Sequence, residues 1–122
     1  MDCRIELVFV PVSDVDRARD FYVDQVGFTL DHDVRVDAGT RFVQVTPPGS
    51  ACSIAFGEGI HDGVPGTQHS IQVVVESAEA ARSELVAAGV DATPLDVQPW
   101  GIFTTFADPD RNTWTVQELP AR

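Results

Sequence analysis

A chain of 122 residues and 13.2 kDa has room for one compact domain and not for two. With 43% hydrophobic and 22% charged residues and two cysteines, it is built neither as a disordered segment nor as a disulfide-stapled mini-protein. Nineteen acidic residues against eight basic ones, all of them arginine, leave a net charge of −11, which repels nucleic-acid phosphates and anionic lipid and excludes both as expected partners.

Along the chain, Met1 to Val12 lacks the apolar stretch and cleavage site of a secretory leader, and no apolar run approaches the roughly 20 residues of a membrane span, so a soluble, cytoplasmic protein is expected. Cys3 and Cys52 lie far apart without C-x-x-C spacing and are expected to be buried thiols. Ile5 to Val12 reads as a strand. Asp14 then caps a helix that runs through Phe21-Tyr22 to Gly27, a residue placed to leave the helix in the left-handed conformation. Phe28 to Val34, Arg41 to Thr46 and Cys52 to Phe56 follow as extended runs, separated by Asp-Ala-Gly-Thr and Pro-Pro-Gly-Ser turns.

The same order then recurs. Ser70 to Val75 reads as a strand, Ser77 caps a helix ending at Gly89, and Ala92 to Val97, Ile102 to Ala107 and Thr113 to Glu118 are extended. At an offset of 63 residues Val12 meets Val75 and Asp14 meets Ser77, while Val15, Ala18 and Tyr22 meet Ala78, Ala81 and Leu85, the spacing of one helix stripe. The chain is therefore one domain, 1–122, made of two βαβββ modules at about 1–58 and 68–120. Neither module is large enough to cover its own sheet, so the two must associate within a chain or across a dimer.

The run Val10-Pro11-Val12-Ser13-Asp14-Val15-Asp16-Arg17-Ala18-Arg19-Asp20-Phe21-Tyr22 with Gly27-Phe28, the turn Gln98-Pro99-Trp100-Gly101 and the turn Asp108-Pro109-Asp110-Arg111-Asn112 resemble the vicinal oxygen chelate superfamily of glyoxalases, bleomycin-resistance proteins and extradiol dioxygenases. The resemblance implies an α+β fold, with two βαβββ modules forming a cupped mixed β-sheet, helices on its convex face and a ligand cleft on the concave one. Enzymes of the family hold a divalent metal there with His or Glu ligands. The matching positions here are Leu7, Ser70 and Thr115, with Ser53 or Ala55 as the fourth, and none is a metal-ligand type.

Strand alternation puts Val8, Val10 and Val12, then Ile71, Val73 and Val75, then Trp114 and Val116 on the core face. The opposite face then carries an uncharged candidate ligand site of Leu7, Phe9, Ser70, Gln72, Thr115 and Gln117, with Gln44. Trp100 stands at its rim, either to stack on a planar ligand or to cap the sheet edge. An alternative register would present Glu6, His69 and Glu118 as ligands for Ni, Zn, Fe or Mn. It would also turn the three core-face residues of each of the first two of these strands out of the core, at about 1.5 to 3 kcal/mol for each side chain. His32 and His61 are expected to be solvated, with His61 within reach of the cleft mouth, and Arg111 replaces the glycine usual in the family's Asp-Pro-Asp-Gly-Asn turn. The expected function is a homodimeric small-molecule-binding protein of the bleomycin-resistance type that needs no cofactor. The alternative is a metal-dependent lyase, isomerase or dioxygenase.

Overall fold

The computed structural model describes residues 1–121. The first module contains β1 (Leu7–Phe9), α1 (Val15–Asp20), β2 (Thr29–Asp37), β3 (Thr40–Thr46) and β4 (Ser53–Glu58). The second contains β5 (Ile71–Val75), α2 (Ala78–Ala87), β6 (Asp96–Gln98), β7 (Gly101–Ala107) and β8 (Thr113–Glu118). Each forms a four-stranded mixed sheet, ordered β1-β4-β3-β2 and β5-β8-β7-β6, with β1 parallel to β4 and β5 parallel to β8. The repeated βαβββ plan expected from the sequence is present in both halves. Among the described residues no helix is long and apolar enough to cross a membrane.

The helix starts follow from their caps. Asp14 accepts a hydrogen bond from the Arg17 amide at 3.0 Å and Ser77 from the Ala80 amide at 3.1 Å, so one orphan N–H of each first turn is satisfied. Gly27 and Gly89 leave the helices at φ 89° and 85°, a conformation costly for any residue with a Cβ. The first helix does not stay α-helical to its end. After Asp20 it widens into a π-helical turn, Phe21–Gln25, in which the Val26 amide reaches the Phe21 carbonyl at 2.9 Å and both Phe21 and Tyr22 are buried.

Two strands are shorter than the sequence suggests. β1 covers three residues instead of Ile5 to Val12, because Pro11 has no amide to extend the ladder beyond the Val10 N–H bond to Ala55. Pro94 likewise breaks the expected Ala92 to Val97 strand, leaving β6 at Asp96–Gln98. The cysteines are free, but Cys3 is exposed and Cys52 half-buried, which corrects the buried-thiol expectation. Cys3 precedes β1 and packs under nothing that could cover it.

Both sheets turn one face to a single shared core. Val10, Val43, Val45, Ile54 and Phe56 of the first module and Leu85, Phe106, Trp114 and Val116 of the second belong to one buried cluster with Ala18, Phe21 and Tyr22 of the first helix. Phe106 stacks on Trp114 at 5.9 Å, and the Tyr22 ring lies 5.7 Å from both Trp114 and Phe56. Trp114 is thus core, as alternation indicated, at 1% exposure.

Candidate functional site

The face of each sheet turned away from that core carries the residues singled out above. On the first sheet, Leu7 lies beside Ser53, and Phe9 and Gln44 both flank Ala55. A row of hydrogen bonds crosses this face. Gln44 Nε2 donates to Ser53 Oγ at 3.2 Å, Ser53 and Thr46 hydroxyls meet at 2.6 Å, and the Thr46 hydroxyl donates to the Asp31 carboxylate. Asp31 reaches the row because a bulge between Leu30 and His32 inserts one extra residue into β2. His32 is exposed, as expected, whereas His61 is half-buried with its ring 5.2 Å from that of Phe9. His61 therefore reaches the face itself instead of remaining solvated.

On the second sheet, Gln72 Nε2 donates to Gln117 Oε1 at 2.6 Å, and Gln117 Nε2 donates to the Trp100 carbonyl at 3.1 Å. The last bond ties the Pro99-Trp100-Gly101 turn to β8 and leaves the indole 62% exposed at the rim. Glycine is required after it, since a Cβ on Gly101 would stand 2.7 Å from the Glu118 carbonyl oxygen. Ser70 and Thr115 line a cavity of about 480 Å³ with Thr105, Thr113, Asp91 and Arg111. Two features of these faces escape the sequence reading. They are not uncharged, since Asp31 stands on one and Arg111 and Asp91 on the other, and Thr46 and Ser53 join by a network that strand alternation alone does not reveal.

Within one chain the predicted residues form two groups, Leu7, Phe9 and Gln44 on one sheet and Ser70, Gln72, Trp100, Thr115 and Gln117 on the other, with the common core between the sheets. At the seam of the modules, Val26, Phe28, Pro47, Val73, Leu85 and Phe106 line another cavity, of about 380 Å³. It lies on the helix-covered side, and none of the candidate ligand-site residues borders it.

The positions where relatives with metal chemistry place their ligands hold an alkyl group at Leu7 and neutral hydroxyls at Ser70, Ser53 and Thr115, a set that does not fit a divalent cation. The shifted set is not brought together either. Glu118 lies on the core side of β8, where its Oε1 accepts the Ala78 amide at 2.9 Å and complements the N-terminus of α2, while Glu6 and His69 are exposed. Among the described residues no three His, Cys, Asp or Glu side chains are grouped closely enough to hold a metal ion.

Compared with known proteins, residues 4–116 match the family model described as the glyoxalase/bleomycin resistance protein/dioxygenase superfamily. The chain is 30% identical to TnmS3, an antibiotic binding protein from Streptomyces sp. CB03234, over 98% of both chains with a TM-score of 0.88. It is 32% identical to a glyoxalase/bleomycin resistance protein from the same organism, over 93% of this chain and 99% of that one, with a TM-score of 0.82. A superfamily member from Sphaerobacter thermophilus DSM 20745 is 29% identical over 96% and 98% of the two chains, with a TM-score of 0.79. No curated protein matches the chain.

Proposed function

Because the chain belongs to the glyoxalase/bleomycin resistance protein/dioxygenase superfamily, we propose that it is a small-molecule-binding protein of the bleomycin-resistance type. In this reading it sequesters a hydrophobic or cationic natural product in the cytoplasm, as a homodimer and without a metal. The observation that carries the reading is the side-chain chemistry at the family's metal positions, Leu7, Ser70 and Thr115, which suits contact and hydrogen bonding to an organic ligand and not coordination. Likeness to an antibiotic binding protein over nearly the full chain supports it.

A dimer completes the site. Phe9 and Val74, on the outer faces, and Trp100 at the rim are 41%, 60% and 62% exposed in a single chain. Setting the outer face of the first sheet of one copy against the second sheet of another would enclose all three and unite the two groups of predicted residues in one cleft. The −11 charge adds long-range attraction for a cation.

Isothermal titration with bleomycin-like, mitomycin-like and enediyne-like compounds tests this. At least one class is expected to bind with micromolar affinity or better, on the order of −8 kcal/mol, and Trp100→Ala to weaken it about tenfold by removing the stacking surface. If every class binds only at millimolar concentration or not at all, the reading fails. Elemental analysis of the purified protein is expected to find no stoichiometric Ni, Zn, Fe or Mn, and finding one would return the enzyme alternative.

A further inference from the structure

Arg111 and Ser70 are the two non-glycine residues with positive φ among the described residues, at 75° and 58°. Side chains avoid this region because Cβ crowds the following carbonyl, and holding a bulky residue there costs on the order of 1 kcal/mol. Both residues line the same cavity, the one of about 480 Å³ on the outer face of the second sheet. Two strained positions at one cavity call for a reason.

The loop itself does not supply one for Arg111. Between β7 and β8 the Arg111 amide donates to the Asp108 carbonyl at 2.9 Å, the Asp108 amide donates to the Asn112 carbonyl at 2.9 Å, and Asp108 Oδ1 accepts the amides of Asp110 and Asn112. Glycine at position 111 would keep every one of these bonds and remove the strain. The guanidinium meanwhile makes no ion pair or hydrogen bond with any described residue. Arg17, Arg19, Arg35 and Arg41 are all in salt bridges and Arg82 donates to two carbonyls, whereas the exposed Arg4, before β1 and away from this cavity, is unpaired among the described residues like the exposed Arg111. In a chain with nineteen acidic residues, an arginine held in a strained conformation beside a cavity and left without an acid is free to serve a ligand.

The other polar groups of the lining are mostly hydroxyls. Thr113 Oγ1 accepts the Ser70 amide at 2.8 Å, which leaves its O–H to donate outward, and the hydroxyls of Ser70 and Thr115 have no partner among the described residues. The buried Asp108 carboxylate offers nothing to a ligand, since Tyr22, Asp110 and both nitrogens of Asn112 occupy it. Asp91 is the one lining carboxylate left open, and it is exposed to water.

We propose that this cavity holds an oxyanionic group of the ligand, a carboxylate in the first instance, with Arg111 as its counter-charge and the hydroxyls of Ser70, Thr113 and Thr115 as further donors. The assignment rests on the small-molecule-binding reading above and adds to it the chemistry of one end of the ligand. Arg111 is then a specificity-determining residue, and the strain at φ 75° is retained because only a side chain at this position reaches the bound oxygen atoms.

The probes are 2-naphthoate and its uncharged isostere 2-naphthamide, titrated into the full chain by calorimetry and followed by amide NMR. Naphthoate is expected to bind at least about tenfold more tightly than naphthamide, the size of one hydrogen bond to a charged group, and to shift the signals of Ser70 and Thr115. Arg111→Gly should abolish the preference while raising the melting temperature by about 3 °C, and Arg111→Lys should retain the preference. Equal affinity for the two probes, no binding of naphthoate, or a preference that survives Arg111→Gly would overturn the proposal. The natural-product titration fails separately. A panel that does not bind, with the naphthoate preference intact, removes the bleomycin-type reading and leaves the oxyanion cavity standing.

Discussion

The hydroxyl of Tyr22 stands between the two modules. It donates to Asp108 Oδ2 at 2.8 Å and accepts from Trp114 Nε1 at 3.0 Å, with no part of the residue exposed. Asn112 Nδ2 extends the network to the Pro11 carbonyl at 2.7 Å, so the segment between β1 and α1 of one module is bonded to the β7–β8 turn of the other. Burial and the Asp108 charge push the phenol well above its ordinary value near 10, which keeps it a neutral donor. Tyr22→Phe removes one donor from a buried carboxylate and the acceptor of a buried indole. Its expected cost is about 2 kcal/mol in urea unfolding, and a loss below about 0.5 kcal/mol would show that the network carries no stability. The sign of the pH effect is also set. A phenol whose pKa is raised in the folded state stabilises fully below pH 10 and loses that contribution as pH rises further, so the wild type should weaken above pH 10 more steeply than the variant. The sequence placed Trp114 in the core and Asp108-Asn112 in a turn from local pattern alone. That Tyr22 pairs with Asp108, 86 positions away, follows from the packing of the modules and leaves no local mark.

At the scale of elements, caps, stripes and alternation were legible because each is a contact between near neighbours in sequence. Asp14 and Ser77 cap as expected, Gly27 and Gly89 end their helices, and β8 has the predicted limits. What shortened β1 and β6 was proline, and what displaced Asp31 onto the outer face was a bulge whose position depends on the partner strand. An ion-pair network likewise joins elements that the sequence treats separately. Arg41 of β3 bridges Asp16 of α1 at 2.8 Å and Asp33 of β2 at 3.0 Å, and Arg19 of α1 also reaches Asp33 at 2.8 Å. Hydrogen bonds from Arg41 and then Arg19 lower the Asp33 carboxyl from its ordinary value of 3.8 to about 2. A depressed carboxylate contributes stability above its unfolded pKa and loses it as pH falls through the folded one, so this contribution is complete above about pH 4 and gone below about pH 2. Asp33→Asn is expected to cost about 1 kcal/mol at pH 7 and to flatten the decline between those limits. Chemical unfolding at stepped pH measures both, and an unchanged acid profile would show that the network is decorative.

For the molecule as a whole, the two modules share one core, and this sends the faces that carry the candidate site residues outward. A homodimer through those faces predicts a mass twice 13.2 kDa by light scattering at about 100 μM, reduced to the single-chain value by Val74→Asp, which puts a charge at an outer-face residue that is 60% exposed. A wild type that scatters as one chain at that concentration would remove the dimeric cleft from the functional reading. Composition, the 63-residue repeat and the capped helices were sufficient to specify the paired βαβββ fold, because periodicity records which side of each element meets apolar neighbours. They also named most residues of the outer faces, since whatever alternates away from the core must face outward. Which outward positions meet each other, that Arg111 stands strained and unpaired beside Ser70 and Thr115, and that Glu118 turns inward to α2 were decided by the packing of one sheet on the other. Alternation assigns a side to each residue, but distances between residues far apart in the chain exist only once the core has closed.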